Sequence, residues 1–167
     1  MPRKKVFLVI TAAIMLFIIA AVSVYMAARP ATLDLYDADT GRLYASWPAE
    51  EGLGFSVGFI HSVNKSLVCD YFVLRNGEIY AEKTVYSAFG AGVQTEVEEG
   101  QTLTYNEDGT MTISGFNQRF DKLSYIVGTV YDHVLTIGGE TISLTELCGR
   151  NAAVVFEVRS GFAHYYH

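Results

Sequence analysis

Four side chains that can bind a ligand or move a proton lie near one another in the middle of the sequence. His61 and Ser62 stand in the stretch GFIHSVNKSLVCDYFVL, residues 58–74, which also contains Asp70. Lys83 follows in the next strand-like segment. An imidazole beside a carboxylate can act as an acid–base pair, and an imidazole beside an ammonium can bind an anion. These residue types therefore permit either a hydrolytic site or a binding site.

One turn signal predicts how the second half of this region pairs. Asn76-Gly77 is typical of a two-residue hairpin because both central positions of that turn need positive φ. It predicts strands over about 67–75 and 78–86. Counting back from the turn places Asp70 directly opposite Lys83, on the same face of the sheet.

The first half of the region is predicted to form a hairpin too, with an even loop centred on Asn64-Lys65. His61 then lies opposite Val68 and diagonal to Asp70. Ser62 points to the other face by strand alternation, which makes it a poor nucleophile partner for His61. A change of one residue in the loop length would exchange the faces of the sheet on which His61 and Ser62 lie. The prediction is a polar trio on an otherwise apolar face.

Three interpretations of this trio stay open. His61, Asp70 and Lys83 can form a polar cluster that binds an anionic or hydrogen-bonding ligand, or another protein's carboxylate. Alternatively, Asp70 and Lys83 form a cross-strand pair near the rim, with His61 bonded to backbone at the turn. A hydrolase that uses His61 and Asp70 is the third, and the sequence has no nucleophile elbow to accompany it.

A glycine-rich stretch, SAFGAG over residues 87–92, follows the last of these strands. Its residues Phe89, Gly90, Ala91 and Gly92 can present consecutive backbone N–H groups as an anion-binding nest. The same stretch can also be a bend where two strands pack closely. We include these four residues in the candidate binding site.

The N-terminal part of the chain has a different composition. Arg3, Lys4 and Lys5 precede residues 6–28, which are 23 residues without a charge. A helix of this length can span the hydrocarbon core, and the positive-inside rule keeps the basic end in the cytoplasm. We expect residues 1–29 to form a basic cytoplasmic start and an uncleaved transmembrane signal anchor. A cleaved signal peptide is the alternative, which would leave the domain secreted or periplasmic.

Residues 30–167 are predicted to form one extracytoplasmic β-domain. About ten short segments rich in Tyr, Phe, Val and Thr alternate with Gly and Asp turns, which is typical of an all-β antiparallel sandwich or barrel-like domain. No convincing helix pattern follows Pro30. The strand candidates are 33–48 with an internal turn, 55–63, 67–75, 78–86, 102–114 with an internal turn, 123–131, 133–137, 140–144 and 152–159.

The charge of this domain limits its partners. Without Arg3, Lys4, Lys5 and Arg29, the chain keeps 8 basic and 18 acidic residues, a net charge of −10. Nucleic acids and anionic lipid surfaces need a basic face, so neither is an expected partner of the domain. The expected membrane contact is through residues 6–28 alone.

The cysteines and the remaining histidines predict no cofactor. Cys69 and Cys148 lie 79 positions apart, unlike the close pairs of a zinc module. A disulfide between them and two free thiols both stay open, because the predicted compartment permits disulfides. His133 is predicted to be a buried or edge histidine, and His164 and His167 have no carboxylate ligand nearby. We expect no metal site and no cofactor.

The stretches FIHSVNKSLVCDYFVL (59–74) and YSAFGAG (86–92) together resemble the bacterial family called domain of unknown function 1850. Members of that family carry a His-Ser-Val motif, then Pro-Val and an acidic residue, and then a Ser-Phe-Gly-Ala-Gly-like stretch. His61-Ser62-Val63 and Phe89 to Gly92 match directly. Leu67 stands at the usual proline, and Asp70 lies at the approximate place of the family's glutamate.

The resemblance covers about residues 30–160 and implies a place in the bacterial cytoplasmic membrane, with the C-terminal domain outside. Similar proteins are often encoded beside tripartite ATP-independent periplasmic (TRAP) transporters that use a TAXI-type solute receptor. The resemblance therefore implies a non-enzymatic binding or accessory module, with a transporter or receptor protein as its partner. A hydrolase and a purely structural envelope protein remain the alternatives.

Overall fold

The computed structural model describes residues 3–27, 30–63, 65–87 and 97–159. Helix α1 spans Arg3–Ala27. Its sequence has neither Gly nor Pro, the residues that weaken a helix most, and the hydroxyl of Thr11 donates to the carbonyl of Phe7 at 3.1 Å. Among the described residues, no helix combines the length and the hydropathy of a membrane span.

The rest of the described chain forms twelve strands and one short helix. The strands are β1 Thr32–Asp37, β2 Leu43–Pro48, β3 Gly54–Ile60, β4 Leu67–Arg75, β5 Glu78–Tyr86, β6 Thr102–Tyr105, β7 Met111–Ser114, β8 Arg119–Phe120, β9 Leu123–Ile126, β10 His133–Ile137, β11 Glu140–Ser143 and β12 Ala153–Arg159. Helix α2 spans Leu144–Cys148.

These strands build two antiparallel sheets. The small sheet has the order β2-β1-β12-β9, and the large sheet has the order β11-β10-β3-β4-β5-β7-β6 with β8 paired to β5. The predicted antiparallel sandwich is therefore confirmed. Strand β9 is an edge of the small sheet, so a residue on β9 lies where the space between the two sheets opens.

The core lies between the sheets and is dominated by aromatic and aliphatic side chains. Phe55 stacks on Phe72 within the large sheet, with 5.1 Å between ring centroids, and on Phe156 of the small sheet at 5.4 Å. Leu33 and Leu35 of β1 are fully buried against this group. Such ring pairs add about 0.5–1.5 kcal/mol each beyond the area they bury.

The strongest turn prediction holds residue for residue. Strands β4 and β5 have the predicted bounds, and Arg75 pairs with Glu78. Asn76 and Gly77 both have positive φ, 53° and 73°. Turn chemistry alone therefore located the hairpin that carries Asp70 and Lys83.

Two predictions of regular structure were wrong. Strand β9 ends at Ile126 and does not continue to residue 131. The segment after β11 forms helix α2, although no helix was expected beyond Pro30. Ser143 caps this helix by accepting a hydrogen bond from the Glu146 amide at 3.0 Å, and Gly149 ends it at a φ of 95°.

Candidate functional site

Asp70 lies between the two sheets and joins them by hydrogen bonds. It stands on the inner face of β4, opposite Val57 on one side and Thr84 on the other. The Thr84 hydroxyl donates to Asp70 Oδ1 at 2.8 Å. The Tyr125 hydroxyl donates to Asp70 Oδ2 at 2.9 Å. Because Tyr125 belongs to β9, this carboxylate bridges the large sheet and the edge of the small one.

Burial dominates the electrostatics of this bridge. Loss of water raises the pKa of Asp70, against the lowering effect of the two hydroxyl donors and of the nearby His133. Burial and the charge of Asp70 together raise the pKa of Tyr125, so its phenol stays protonated and donates. The salt bridges among the described residues do not include Asp70.

Lys83 does not face Asp70, so the predicted cross-strand pair was wrong. The register of β4 and β5 shifts at Tyr71, and Glu82 is the additional residue of this β-bulge. Thr84 therefore takes the place opposite Asp70, and Lys83 pairs with Tyr71 on the other face. The Lys83 ammonium lies 4.7 Å from the centroid of the Tyr71 ring.

His61 and Ser62 lie in a loop rather than in a strand. Strand β3 ends at Ile60, and the described residues between it and β4, 61–63, 65 and 66, lie in a loop with two backbone hydrogen bonds. The His61 amide donates to the Ser66 carbonyl, and the Lys65 amide donates to the His61 carbonyl, both at 2.9 Å. The loop is longer than predicted, so Val68 pairs with Phe59 and not with His61.

This loop and the segment between β9 and β10 enclose a groove of about 550 Å³. Its polar side chains are those of His61, Ser62, Lys65, Thr129, Tyr131 and His133. Ser62 thus lines the same groove as His61, although strand alternation predicted opposite faces. The alternation rule does not apply because the strand has already ended. A groove of this size lies in the range typical of small-molecule sites.

Aromatic and aliphatic side chains form the rest of the groove. Phe59 and Ile60 contribute from the end of β3, and Val130 and Tyr131 contribute from the opposite segment. Val130 is 74% exposed, so an apolar side chain stands at the rim in contact with water. An occupant with an apolar portion would bury this surface.

His133 is the residue of this groove that the sequence reasoning did not place in the site. Its ring stacks on Phe59, with 4.9 Å between centroids and 9° between planes. The Gly128 amide donates to His133 Nδ1 at 3.0 Å, so the proton of the neutral ring is on Nε2. Burial lowers the pKa of His133, against the raising effect of Asp132 and Asp70.

His61 and Lys65 complete a set of donors. The Val63 amide donates a long hydrogen bond of 3.4 Å to His61 Nδ1. Nε2 is therefore the donor nitrogen of the His61 ring, as it is in His133. Lys65 adds an ammonium, and none of the described residues that line the groove is acidic. Two N–H donors, an ammonium and a hydroxyl around a partly apolar space suit an anion with an apolar portion.

The structure does not bring His61 and Asp70 into one constellation. Asp70 lines a separate, smaller cavity of about 250 Å³. Aromatic rings lie between the two spaces: Tyr125 is 6.4 Å from Phe59 and 6.1 Å from His133 between centroids. No hydrogen bond joins His61 to Asp70 among the residues that the structure describes. The single polar patch of the prediction is therefore two sites.

The remaining candidate residues lie outside these two spaces or outside the described ranges. Residues 89–92 lie outside the described residues. Cys69 and Cys148 are free thiols, both half-buried, and burial raises the pKa of Cys148 to about 11. Within the described ranges, no group of three His, Cys, Asp or Glu side chains is arranged to hold a metal ion.

Comparison with known proteins gives one match. The model of the family described as domain of unknown function (DUF1850) matches residues 55–144, more than half of the chain. This range contains the loop at His61, the bridge at Asp70 and the segment that ends at His133. No curated protein and no solved structure matches the chain.

Proposed function

The chain belongs to the DUF1850 family, and we propose that it is a membrane-anchored extracytoplasmic binding module. Its binding site is the groove formed by His61, Ser62, Lys65 and His133. The observation that carries this proposal is that three nitrogen donors line one groove of about 550 Å³ and that none of the described residues lining it is acidic. We propose an organic carboxylate as the occupant, either a free solute or a carboxylate of a partner protein.

The charges of the domain support a specific role for this groove. The chain beyond Arg29 has a net charge of −10, so its general field repels anions. A site that binds a carboxylate against this field needs local donors, and the groove supplies them. A charge-assisted hydrogen bond from Lys65 is stronger than a bond between neutral groups, and the two imidazole Nε2–H groups fix the orientation of the carboxylate.

The anchor is proposed from the sequence of the N-terminal segment. An uncharged run over 6–28, preceded by three basic residues, is typical of a signal anchor with its N-terminus in the cytoplasm. The groove lies beyond the end of β9 at Ile126. Ile126 lies near Asp37 at one end of β1, whereas the tether joins the other end of β1 at Thr32. The six residues of β1 span about 20 Å, so the groove is well separated from the tether.

We further propose that the module assists a TRAP-type transporter that uses a TAXI-type receptor. The support is the family resemblance, since similar proteins are often encoded beside such transporters. A groove remote from the tether is accessible to a solute receptor or to the solute itself. The groove chemistry supports the binding role, and the transporter assignment is a separate statement with its own test.

Binding is tested with the full chain in a non-ionic detergent, using benzoate as the probe and benzamide as its neutral counterpart. Lys65→Gln removes the ammonium from the groove, and Lys83→Gln removes one from the outer face of the sheet. We expect benzoate to bind, benzamide to bind at least tenfold more weakly, and only Lys65→Gln to reduce benzoate affinity. Equal loss in both lysine variants would contradict the proposal.

The transporter role is tested by affinity purification of the anchored chain from native membranes. We expect a transporter or receptor component to be recovered with the wild-type chain and lost with His61→Ala. Recovery of no such component would remove the accessory role and leave carboxylate binding unaffected.

The two alternative functions have less support. A hydrolase that uses His61 and Asp70 requires the two side chains in contact, and Asp70 instead bonds to Thr84 and Tyr125. A purely structural envelope role was predicted from His61, Asp70 and Lys83 closing the sheet together, and the register of β4 and β5 places Lys83 opposite Tyr71 instead. Neither alternative accounts for the donors that line the groove.

A further inference from the structure

A second cavity, of about 250 Å³, lies between β4 and β5 of the large sheet and the edge strand β9 of the small sheet. Its volume is far above the roughly 10–15 Å³ that a single water molecule needs. The side chains that matter for its chemistry are Asp70, Thr84, Phe72, Phe116, Phe120 and Tyr125.

The carboxylate of this cavity has hydrogen-bond donors but no salt-bridge partner among the described residues. Thr84 and Tyr125 donate one hydrogen bond each to Asp70, and both donors are neutral hydroxyls. Lys83 is among the residues that line the cavity, but its ammonium lies 4.7 Å from the centroid of the Tyr71 ring and forms no salt bridge with Asp70. Residues 88–96, outside the described ranges, contain neither Lys nor Arg.

A partly buried carboxylate without an ion-pair partner is costly, and a cation supplied from outside the chain would reduce that cost. Each oxygen of Asp70 accepts one bond and keeps a second lone pair for another donor. The site is therefore chemically incomplete in a way that a cationic ligand would complete.

The other walls of the cavity favour an organic cation. Phe72 and Phe120 meet edge to face, with 6.1 Å between centroids, and Phe116 and Tyr125 add two further rings. Aromatic rings attract ammonium groups through cation–π interaction, most strongly when the cation is poorly hydrated. Hard metal cations instead prefer several carboxylate and carbonyl ligands, and Asp70 is the one carboxylate among the residues that line this cavity.

We propose that this cavity is a binding site for a small organic ammonium ion, with Asp70 as its counter-ion and the aromatic side chains as its walls. The site is independent of the groove at His61. It binds a ligand of the opposite charge and lies on the other side of the Tyr125 ring. A negative binding result for this cavity would therefore not affect the proposed carboxylate site.

The probe is choline, and its neutral carbon isostere 3,3-dimethylbutan-1-ol is the matched ligand. Both are titrated into the full chain in non-ionic detergent at constant ionic strength, and binding is followed by saturation-transfer NMR. We expect choline to bind at least tenfold more tightly than the alcohol. Asp70→Asn should abolish this preference, whereas Asp39→Asn, which removes a charge at an exposed turn, should keep it.

A second variant keeps the test decisive if Asp70→Asn does not fold. Phe116 is half-buried and lies outside the central core cluster, so Phe116→Ala is expected to fold. This variant should weaken choline binding at least threefold. Equal affinity of choline and the alcohol, or unchanged choline binding in Asp70→Asn or Phe116→Ala, would overturn the proposal.

Discussion

The hydroxyl of Tyr125 donates a 2.9 Å hydrogen bond to the carboxylate of Asp70, and this bond ties the edge of the small sheet to the middle of the large one. The same Tyr125 ring separates two spaces of opposite character. One is the groove with His61, Lys65 and His133, which offers donors. The other is the aromatic cavity, which offers a carboxylate.

The first prediction concerns this bond. Tyr125→Phe removes the donor to a carboxylate oxygen that is largely buried, so the native state loses about 1–3 kcal/mol. The free energy of unfolding is measured by denaturant titration, with Trp47 as the fluorescent reporter. Tyr80→Phe is the matched control, because Tyr80 donates to the more exposed Glu78 at 3.1 Å. A loss within about 0.5 kcal/mol is expected there.

The second prediction concerns the pH dependence that Asp70 imposes. Its pKa in the folded state lies above the ordinary value of 3.8, so the native protein holds this proton more tightly than the unfolded chain does. Stability from this group is therefore greatest at low pH and is lost as the pH rises from about 4 through the folded pKa. Relative to wild type, Asp70→Asn should gain stability as the pH rises over that window.

The third prediction is that the stability supplied by Asp37 has the opposite pH dependence. The Thr40 amide, the Thr40 hydroxyl and the Tyr44 hydroxyl donate to Asp37 and lower its pKa from 3.8 to about 2. The stability that Asp37 supplies is present above pH 4 and is lost as the pH falls towards 2. Asp37→Asn should therefore melt below wild type at pH 7, and the difference should shrink as the pH falls from about 4 towards 2. A difference that stays constant over this range would contradict this assignment.

The fourth prediction concerns the wall of the groove. A Cβ at Gly128 would lie 2.0 Å from the Tyr131 carbonyl oxygen, so Gly128→Ala must displace this segment. The displacement should break the hydrogen bond to His133 Nδ1, lower the melting temperature and weaken benzoate binding at least tenfold. Gly54→Ala is the control, because its Cβ would meet its nearest atom at 3.8 Å. Equal behaviour of the two variants would show that the segment does not shape the groove.

Turn and alternation patterns predicted most of the fold. Asn76-Gly77 fixed both strands of the central hairpin, and period-two patterning put Asp70 on the inner face. These features depend on a few consecutive residues, which is why the sequence reveals them. Helix α2 was missed because its five residues are too short for a periodic signal.

The site was predicted only in part, for two physical reasons. A β-bulge at Glu82 reversed the face of Lys83, and nothing in the local residue types announces an extra residue. His133 joined His61 through long-range pairing of β10 with β3, which depends on the whole sheet. A clue was present in Gly128, whose lack of a side chain permits the close approach of the segment before β10.

The most direct test of the groove uses the imidazole ¹⁵N signals of the chain during titration with benzoate. The chain has four histidines, so four sets of imidazole signals are expected. Single substitutions assign the signals of His61 and His133. We predict saturable shifts of the Nε2 signals of His61 and His133, absent with benzamide and lost in Lys65→Gln. Unmoved signals at both residues, or equal shifts with benzamide, would contradict carboxylate binding in this groove.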